Sequence, residues 1–439
     1  SYVLTKVAVT VYAGGLVFQQ VFGIKELWGI DFFWIAAIGL VVLTALYTIF
    51  GGMKSVLYTS VLQTPILLLG SLIILVLGFK ELGGWDEMMR VCGAVTVNDY
   101  GDTMTNLIRS NDDANFPWLG ALIGSAIIGF WYWCTDQFIV QRVLSGKNEK
   151  EARRGTIFGA YLKLLPVFLF LIPGMIAFAL HQKYIGAGGE GFLPMLANGT
   201  ANADAAFPTL VAKLLPAGVK GLVVCGILAA LMSSLASLFN SSAMLFTIDF
   251  YKRFRPETPE KKLVGIGQIA TVVIVILGIL WIPIMRSVGD VLYTYLQDVQ
   301  SVLAPGIAAA FLLGICWKRT SAQGGMWGLI AGMIIGLTRL GAKVYYSNAG
   351  EVADSTFKYL FYDMNWLFFC GWMFLFCIIV VIVVSLATEA PTAEKIQGLV
   401  FGTATKEQKA ATRASWDHWD IIHTVIILAI TGAFYWYFW

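Results

Sequence analysis

Apolar runs long enough to cross a lipid bilayer recur along the whole chain, separated by short polar stretches. A membrane helix needs about 20 predominantly apolar residues. Eleven runs meet this requirement, and each predicts a helix: roughly 1–22, 33–50, 57–79, 117–143, 156–180, 217–251, 263–285, 290–316, 323–346, 365–387 and 420–439. The pattern therefore predicts an all-α, multi-pass membrane protein.

The sixth run carries a line of hydroxyl side chains. Ser233, Ser237 and Ser241 recur four residues apart, so they share one face of a helix. Lipid offers a hydroxyl no hydrogen-bond partner, so this face must lie against protein, an ion or a cavity. Two interpretations fit the pattern. One is close helix packing, and the other is a site for a hard cation such as Na⁺, which prefers hydroxyl and carbonyl oxygens.

The fourth and fifth runs place aromatic and basic side chains deep in the membrane. Lys163 lies about 13 Å along a helix from Arg154, near the bilayer centre. It is either a structural lysine held by carbonyls or a buried acid, or part of a functional site. Tyr132 and Trp133 lie at the same predicted depth. Such aromatic faces suit a sugar ring, and they are also typical of core or lipid-facing positions.

The eighth run contains three polar side chains, Gln297, Asp298 and Gln300. An amide both donates and accepts hydrogen bonds, so these glutamines can bind hydroxyl groups or link neighbouring helices. Asp298 is a candidate counter-ion for an intramembrane lysine. Sequence spacing does not decide between these roles.

Composition excludes several classes of protein. Of 439 residues, 58% are hydrophobic and only 13% are charged, and the net charge of +3 is too small to suggest nucleic-acid binding. The six cysteines form no disulfide framework, and the three histidines show no metal-ligand spacing. Lys and Arg are enriched in the loops of one side, which predicts that this side is cytoplasmic. The chain begins with Ser1 inside a helix-like run, so we expect it to start partway through a longer protein.

Several stretches together resemble the sodium/solute symporter family, most closely its sodium–glucose cotransporter branch. The most specific are FWYWCTDQFIVQRVLS (130–145) and, within 214–253, AALMSSLASLFNSS. The resemblance implies a leucine-transporter-type fold with a five-plus-five inverted-repeat helix bundle. It further implies one transporter domain over 1–439, with core helices three to ten in 1–316 and peripheral helices in 317–439. The first two core helices would then be absent from this chain.

The resemblance also implies roles for individual residues. The sodium ligands would be the Ser233 and Ser234 hydroxyls and the Ala230 carbonyl. The substrate contacts would be Lys6, Tyr132 (as the inner gate), Trp133, Lys163 and Gln297. Two positions depart from the family. Ser60 stands where many relatives have Asp, which makes a second sodium doubtful, and Gln300 replaces a small hydroxyl residue and so leaves the sugar undefined.

The implied function is sodium-coupled import of a glucose- or galactose-like monosaccharide by alternating access, without enzymatic chemistry. We expect a plasma-membrane protein whose partners are a sugar or polyol, Na⁺ and the lipid bilayer, with no nucleic acid. The oligomeric state is left open. The alternatives are a symporter for myo-inositol, sialic acid or another small polar solute, and a membrane sensor that binds ligand without transporting it.

Overall fold

The computed structural model describes residues 2–196, 199–286, 292–348 and 353–438, without the side chains of residues 2–4, 50–56, 284–286, 292–295 and 348. The chain divides into two compact units, and each is described by itself. The first unit comprises Ser1–Val97, Thr103–Thr105 and Leu164–Tyr293, and the second comprises Asn98–Asp102, Asn106–Lys163 and Thr294–Trp439.

Helices make up most of the described chain. The elements up to residue 186 are α1 (Tyr2–Phe22), β1 (Glu26–Leu27), β2 (Ile30–Asp31), α2 (Phe32–Leu82), α3 (Trp85–Gly93), α4 (Trp118–Cys134), α5 (Gln137–Leu144), α6 (Glu149–Pro166) and α7 (Ile172–Gly186). The later elements are α8 (Ala206–Leu214), α9 (Ala217–Met244), α10 (Lys252–Phe254), α11 (Glu260–Arg286), α12 (Leu292–Cys316), α13 (Ala322–Asn348), α14 (Thr356–Lys358), α15 (Trp366–Ala387), α16 (Ala393–Ile396), α17 (Lys406–Ala414) and α18 (His418–Tyr437). π-Helical turns occur at Val167–Leu171, Leu245–Tyr251 and Tyr359–Asp363, and a 3₁₀ turn at Ala203–Ala205. The two short strands pair as an antiparallel hairpin.

Nine helical segments in the described ranges are long and apolar enough to cross a membrane, or ten if the bent pair α4–α5 is one span. They correspond to the second to eleventh predicted runs. The first run forms α1, which is helical over 21 residues but is not among these candidates. Its first side chains lie outside the described part. The prediction of an all-α, multi-pass membrane protein is confirmed, and the count of eleven spans exceeds the observed count by α1.

The second and third predicted runs lie in α2, which is one continuous helix of 51 residues. Its length of about 77 Å far exceeds the membrane core of about 30 Å. It accordingly contains two apolar spans, Phe32–Ile49 and Leu57–Leu82. The separate predicted runs 33–50 and 57–79 imply a break between them, at Gly51-Gly52, and the backbone there remains helical. Glycine in a helix costs only about 1 kcal/mol relative to alanine, so the flanking helix prevails.

The helix that carries Lys163 changes its winding directly after Pro166. A proline has no backbone N–H and its ring clashes with the preceding turn, so an α-helix cannot continue undisturbed through it. The chain responds with the π-helical turn Val167–Leu171 and then resumes as α7. The boundary between the two units falls at Lys163–Leu164, one turn before this change.

The core of the first unit is built by α2, α7, α8 and α9. Fully buried aliphatic side chains fill it, among them Ile74, Ile176 and Leu210. α2 and α9 approach closely because glycines face the partner helix. A Cβ at Gly70 would lie 2.7 Å from a methyl group of Val223, and one at Gly226 would lie 3.1 Å from Ile66.

Helix packing in the second unit also depends on glycines. α4 lies against the start of α15 so closely that a Cβ at Gly124 would lie 2.7 Å from the carbonyl oxygen of Leu367. α12 and α13 meet at Gly306 and Gly332, where a Cβ on Gly332 would be 3.0 Å from the Cα of Gly306. Small residues of this kind allow membrane helices to gain van der Waals contact along their backbones.

Candidate functional site

The fourth predicted run is a broken helix. α4 ends at Cys134, α5 begins at Gln137, and the two axes differ by 47°. The carbonyl of Trp131 closes α4 by accepting hydrogen bonds from the Thr135 and Asp136 amides at 2.9 and 3.1 Å. The Asp136 carboxylate then caps α5 by accepting from the Phe138 amide. Broken membrane helices occur in transporters at the depth where substrate and ions bind.

Tyr132 and Trp133 occupy the last turn of α4, directly before this break. Their rings meet edge to face, with centroids 5.5 Å apart and planes at 90°. The Lys163 ammonium group lies 6.0 Å from the centre of the Trp133 ring, within the range of a cation–π contact. Trp133 is 46% exposed and Lys163 is exposed, whereas Trp131 is buried. The structure thus brings together three of the five predicted substrate contacts.

The Lys163 ammonium group keeps its hydrogen-bonding capacity. Over the described residues, its contact is with the Trp133 ring alone, and it has neither an ion pair nor a hydrogen bond. An ammonium group has three donors and no acceptor. All three are therefore available to a ligand.

Gln297 lies on α12 in the second unit and is half-buried. Its amide makes no hydrogen bond to any described residue. The neighbouring Asp298 is engaged: its carboxylate lies 2.6 Å from the Lys343 ammonium group and 3.6 Å from the Arg339 guanidinium group, both on α13. The counter-ions of Asp298 thus lie on the next helix, and sequence spacing did not identify this pairing.

The serine face of α9 belongs to the first unit. Ser233 is 8% exposed, and its hydroxyl lies 2.5 Å from the Ser60 hydroxyl of α2. Ser237 donates to the Ser233 carbonyl at 2.9 Å, and Ser241 donates to the Ser237 carbonyl at 2.6 Å. Bonds of this kind to the preceding turn satisfy a buried hydroxyl within its own helix. They support the packing interpretation for Ser237 and Ser241 and leave Ser233 as the stronger candidate ligand.

Ala230 and Ser234 lie beside Ser233 on α9 and are both half-buried. The Ser234 hydroxyl makes no hydrogen bond within the described part of the chain. Tyr47 of α2 donates to the Met232 carbonyl at 2.8 Å and so ties the two helices together at this level. The predicted sodium ligands therefore lie on one turn of a helix that α2 holds in place.

Lys6 lies on α1 and is buried in the first unit. The backbone carbonyl of Lys6 accepts a hydrogen bond from the Thr10 hydroxyl at 2.8 Å. The predicted role of this lysine as a substrate contact stays a prediction. The cluster of Tyr132, Trp133 and Lys163 belongs to the second unit.

A carboxylate network orders the loop that leads into α4. Asp113 accepts hydrogen bonds from the amides of Phe116 and Asn115 at 2.7 and 2.9 Å, and Arg109 lies 3.5 Å away. Burial works against the charged form of Asp113, but these donors and Asn98 outweigh it, so the pKa of Asp113 falls below its ordinary value. The loop therefore delivers the chain to the start of α4 in a fixed conformation.

Comparison with known proteins agrees with these features. A profile of the sodium:solute symporter family matches residues 1–332. The human sodium/myo-inositol cotransporter 2 is 35% identical over 413 residues, which is 92% of this chain and 60% of the relative. A Bos taurus sodium/mannose cotransporter is 35% identical over 99% of this chain and 75% of its own length. Sodium/glucose cotransporter 1 of Ovis aries is 36% identical over 88% of this chain and 60% of its own length.

A solved structure supports the fold. A Na⁺-coupled sialic acid symporter in a substrate-bound, outward-open state superposes with a TM-score of 0.64 at 21% identity, over 89% of this chain and 74% of its own. The chain spans about 60% of the length of several of the curated relatives. The family match, the identity to several cotransporters and the shared fold agree: the chain belongs to the sodium:solute symporter family.

Proposed function

We propose that the protein is a sodium-coupled symporter of the plasma membrane that imports a glucose-like monosaccharide or a related cyclic polyol. The observation that carries this proposal is the cluster at the break between α4 and α5, where Lys163 lies over the ring of Trp133 beside Tyr132. An aromatic face packs against the C–H face of a sugar ring. An ammonium group and an amide hydrogen-bond to the hydroxyls at its rim.

Each residue of the cluster has a distinct proposed role. Tyr132 and Trp133 supply ring faces for stacking, and Tyr132 acts as the inner gate. Lys163 donates to substrate hydroxyls through its free N–H groups, and Gln297 both donates and accepts. Lys6 is proposed as a further substrate contact, on the resemblance alone.

The proposed sodium ligands are the hydroxyls of Ser233 and Ser234 and the carbonyl of Ala230. A hydroxyl that receives a hydrogen bond from Ser60 keeps a lone pair for a cation, and Ser60 lies 2.5 Å from Ser233. Inward movement of one Na⁺ supplies about 2.3 kcal/mol per 100 mV of membrane potential, in addition to its concentration gradient. This energy is available to drive substrate uptake.

Uptake and exchange measurements test the function as a whole. Cells that express the protein should accumulate labelled glucose, galactose or myo-inositol when Na⁺ is present and not when choline replaces it. Purified protein in liposomes should also exchange internal for external substrate. Binding of substrate without exchange would identify a membrane sensor instead of a transporter and would refute the proposal.

A pair of lysine variants tests the substrate site. Lys163→Ala removes the free ammonium group and should abolish sodium-driven uptake at normal surface expression. Lys147→Ala removes an exposed lysine just before α6 and should leave uptake unchanged. Equal uptake by the two variants would remove Lys163 from the site.

A further inference from the structure

Three charged side chains, of which Asp298 and Arg339 are buried, form a cluster in the second unit, apart from the Lys163 group. Asp298 of α12 faces two cations on α13: Lys343 Nζ at 2.6 Å and Arg339 Nη2 at 3.6 Å. Arg339 is completely buried. A buried arginine is costly unless its charge and its N–H donors are satisfied, so its surroundings must provide partners.

Arg339 obtains partners from the segment before α15 and from α15 itself, while its Nε makes no hydrogen bond to a described residue. Its guanidinium group donates to the carbonyls of Met364 at 2.7 Å and Leu360 at 3.3 Å, and it lies 4.1 Å from the centre of the Phe369 ring. Arg339 thus holds α12, α13 and the π-helical turn Tyr359–Asp363 together. The Asp298 carboxylate is the group through which α12 joins this assembly.

Close backbone contact fixes the same two helices one turn further along. A Cβ at Gly336 of α13 would lie 2.7 Å from the carbonyl oxygen of Val302, one turn from Asp298 on α12. The ion pairs and the glycine contact therefore act on consecutive turns of α12. Rotation or sliding of α12 against α13 would disturb both sets of contacts.

This fixed rotation determines where Gln297 points. Successive helix positions differ by about 100°, so Gln297 faces about 100° away from Asp298 and from α13. On an ideal helix Phe311 lies about 40° from Gln297. The Phe311 ring meets that of Phe130 on α4, with centroids 6.5 Å apart. At Phe311, about 21 Å along α12 from Gln297, this side of the helix faces α4, which carries Tyr132 and Trp133.

We propose that Asp298 is a positioning residue, which holds the free amide of Gln297 toward the substrate through its ion pairs with Lys343 and Arg339. This inference rests on the proposed function, in which Gln297 contacts the substrate. Asp298 itself touches no substrate. Its effect is on the rotation of α12, and hence on the geometry of a single hydrogen-bonding side chain.

Uptake kinetics of matched variants test this role. Asp298→Asn removes the charge and keeps the shape, and it should raise the substrate concentration for half-maximal uptake about tenfold at unchanged surface expression. Asp298→Glu should restore a value close to that of the unaltered protein. Lys343→Gln, which removes the partly exposed partner, should shift the half-maximal concentration in the same direction. Asp354→Asn, which breaks an exposed ion pair with Lys358, should change nothing.

A double variant separates positioning from general stability. If Asp298 acts through Gln297, Asp298→Asn should change half-maximal uptake less than about twofold when Gln297→Ala is already present. Additive effects of the two substitutions would overturn the proposal, as would unchanged kinetics in Asp298→Asn. If Asp298→Asn does not reach the surface, the same comparison with Lys343→Gln decides. Failure of the unaltered protein to transport any of the sugars would instead refute the proposed function.

Discussion

Replacing Ser233 with alanine tests whether the serine face of α9 binds an ion or only packs. The Ser233 hydroxyl lies 2.5 Å from the Ser60 hydroxyl, and a proposed sodium ion would take its remaining lone pair. Ser237, on the same face one turn along, is also buried, but its hydroxyl donates to the carbonyl of its own helix at 2.9 Å. Ser237→Ala is therefore a control that removes an equivalent buried hydroxyl away from the ion.

The expected effects of the two substitutions differ in size and in kind. A hydrogen-bonding group that serves a charged partner contributes about 1.5–3 kcal/mol, so Ser233→Ala should raise the half-saturating sodium concentration about tenfold to a hundredfold. A neutral hydrogen bond contributes about 1 kcal/mol. Ser237→Ala should therefore lower thermal stability slightly and leave the half-saturating sodium concentration unchanged within about twofold.

The assay is substrate uptake as a function of sodium concentration, at fixed membrane potential and normalised to surface expression. A large shift for Ser233→Ala with none for Ser237→Ala would support an ion at this turn of α9. Equal shifts in both variants would show that the substitutions act through helix packing. An unchanged sodium dependence of Ser233→Ala would refute the reasoning outright.

Two further predictions concern the second unit. Gly124→Val would place a Cβ 2.7 Å from the carbonyl oxygen of Leu367. The melting temperature in detergent should therefore fall, by an amount that corresponds to about 1–3 kcal/mol. Gly129→Val, at an open position on the same helix, should not lower the melting temperature. Because the folded-state pKa of Asp113 lies below its ordinary value of 3.8, its charge stabilises the loop before α4 at neutral pH, and this stabilisation is lost as the pH falls below about 4. The protection of residues 98–117 against hydrogen exchange, corrected for the intrinsic exchange rate, should fall in that range, and Asp113→Asn should lower this protection at neutral pH and reduce its loss on acidification.

The membrane spans could be predicted because each depends on a local property, the length of an apolar run. Where the backbone departs from this pattern, the cause is also local. The fourth run is interrupted at Thr135–Asp136, and Asp136 is a common helix-capping residue. A capping residue inside an apolar run was the available signal for this break.

The ionic partners could not be predicted because they depend on how distant helices meet. Asp298 pairs with Lys343, and neither spacing nor composition relates the two positions. The serine periodicity correctly identified one face of α9, but it did not distinguish the hydroxyl that reaches Ser60 from those that bond to their own helix. A helical repeat specifies direction around an axis, and the partner in that direction is set by the tertiary structure.

The contrast between two intramembrane cations is the strongest physical reason to assign Lys163, and not Arg339, to the substrate. Arg339 is completely buried and has a carboxylate, two carbonyls and an aromatic ring as partners. These partners explain its presence inside the protein without a ligand. Within the described chain, Lys163 has only the Trp133 ring. Removing water from an ammonium group is costly when no oxygen atom replaces it, and a substrate hydroxyl supplies such an oxygen. A substrate hydroxyl that completes these hydrogen bonds is therefore the partner that we propose for Lys163.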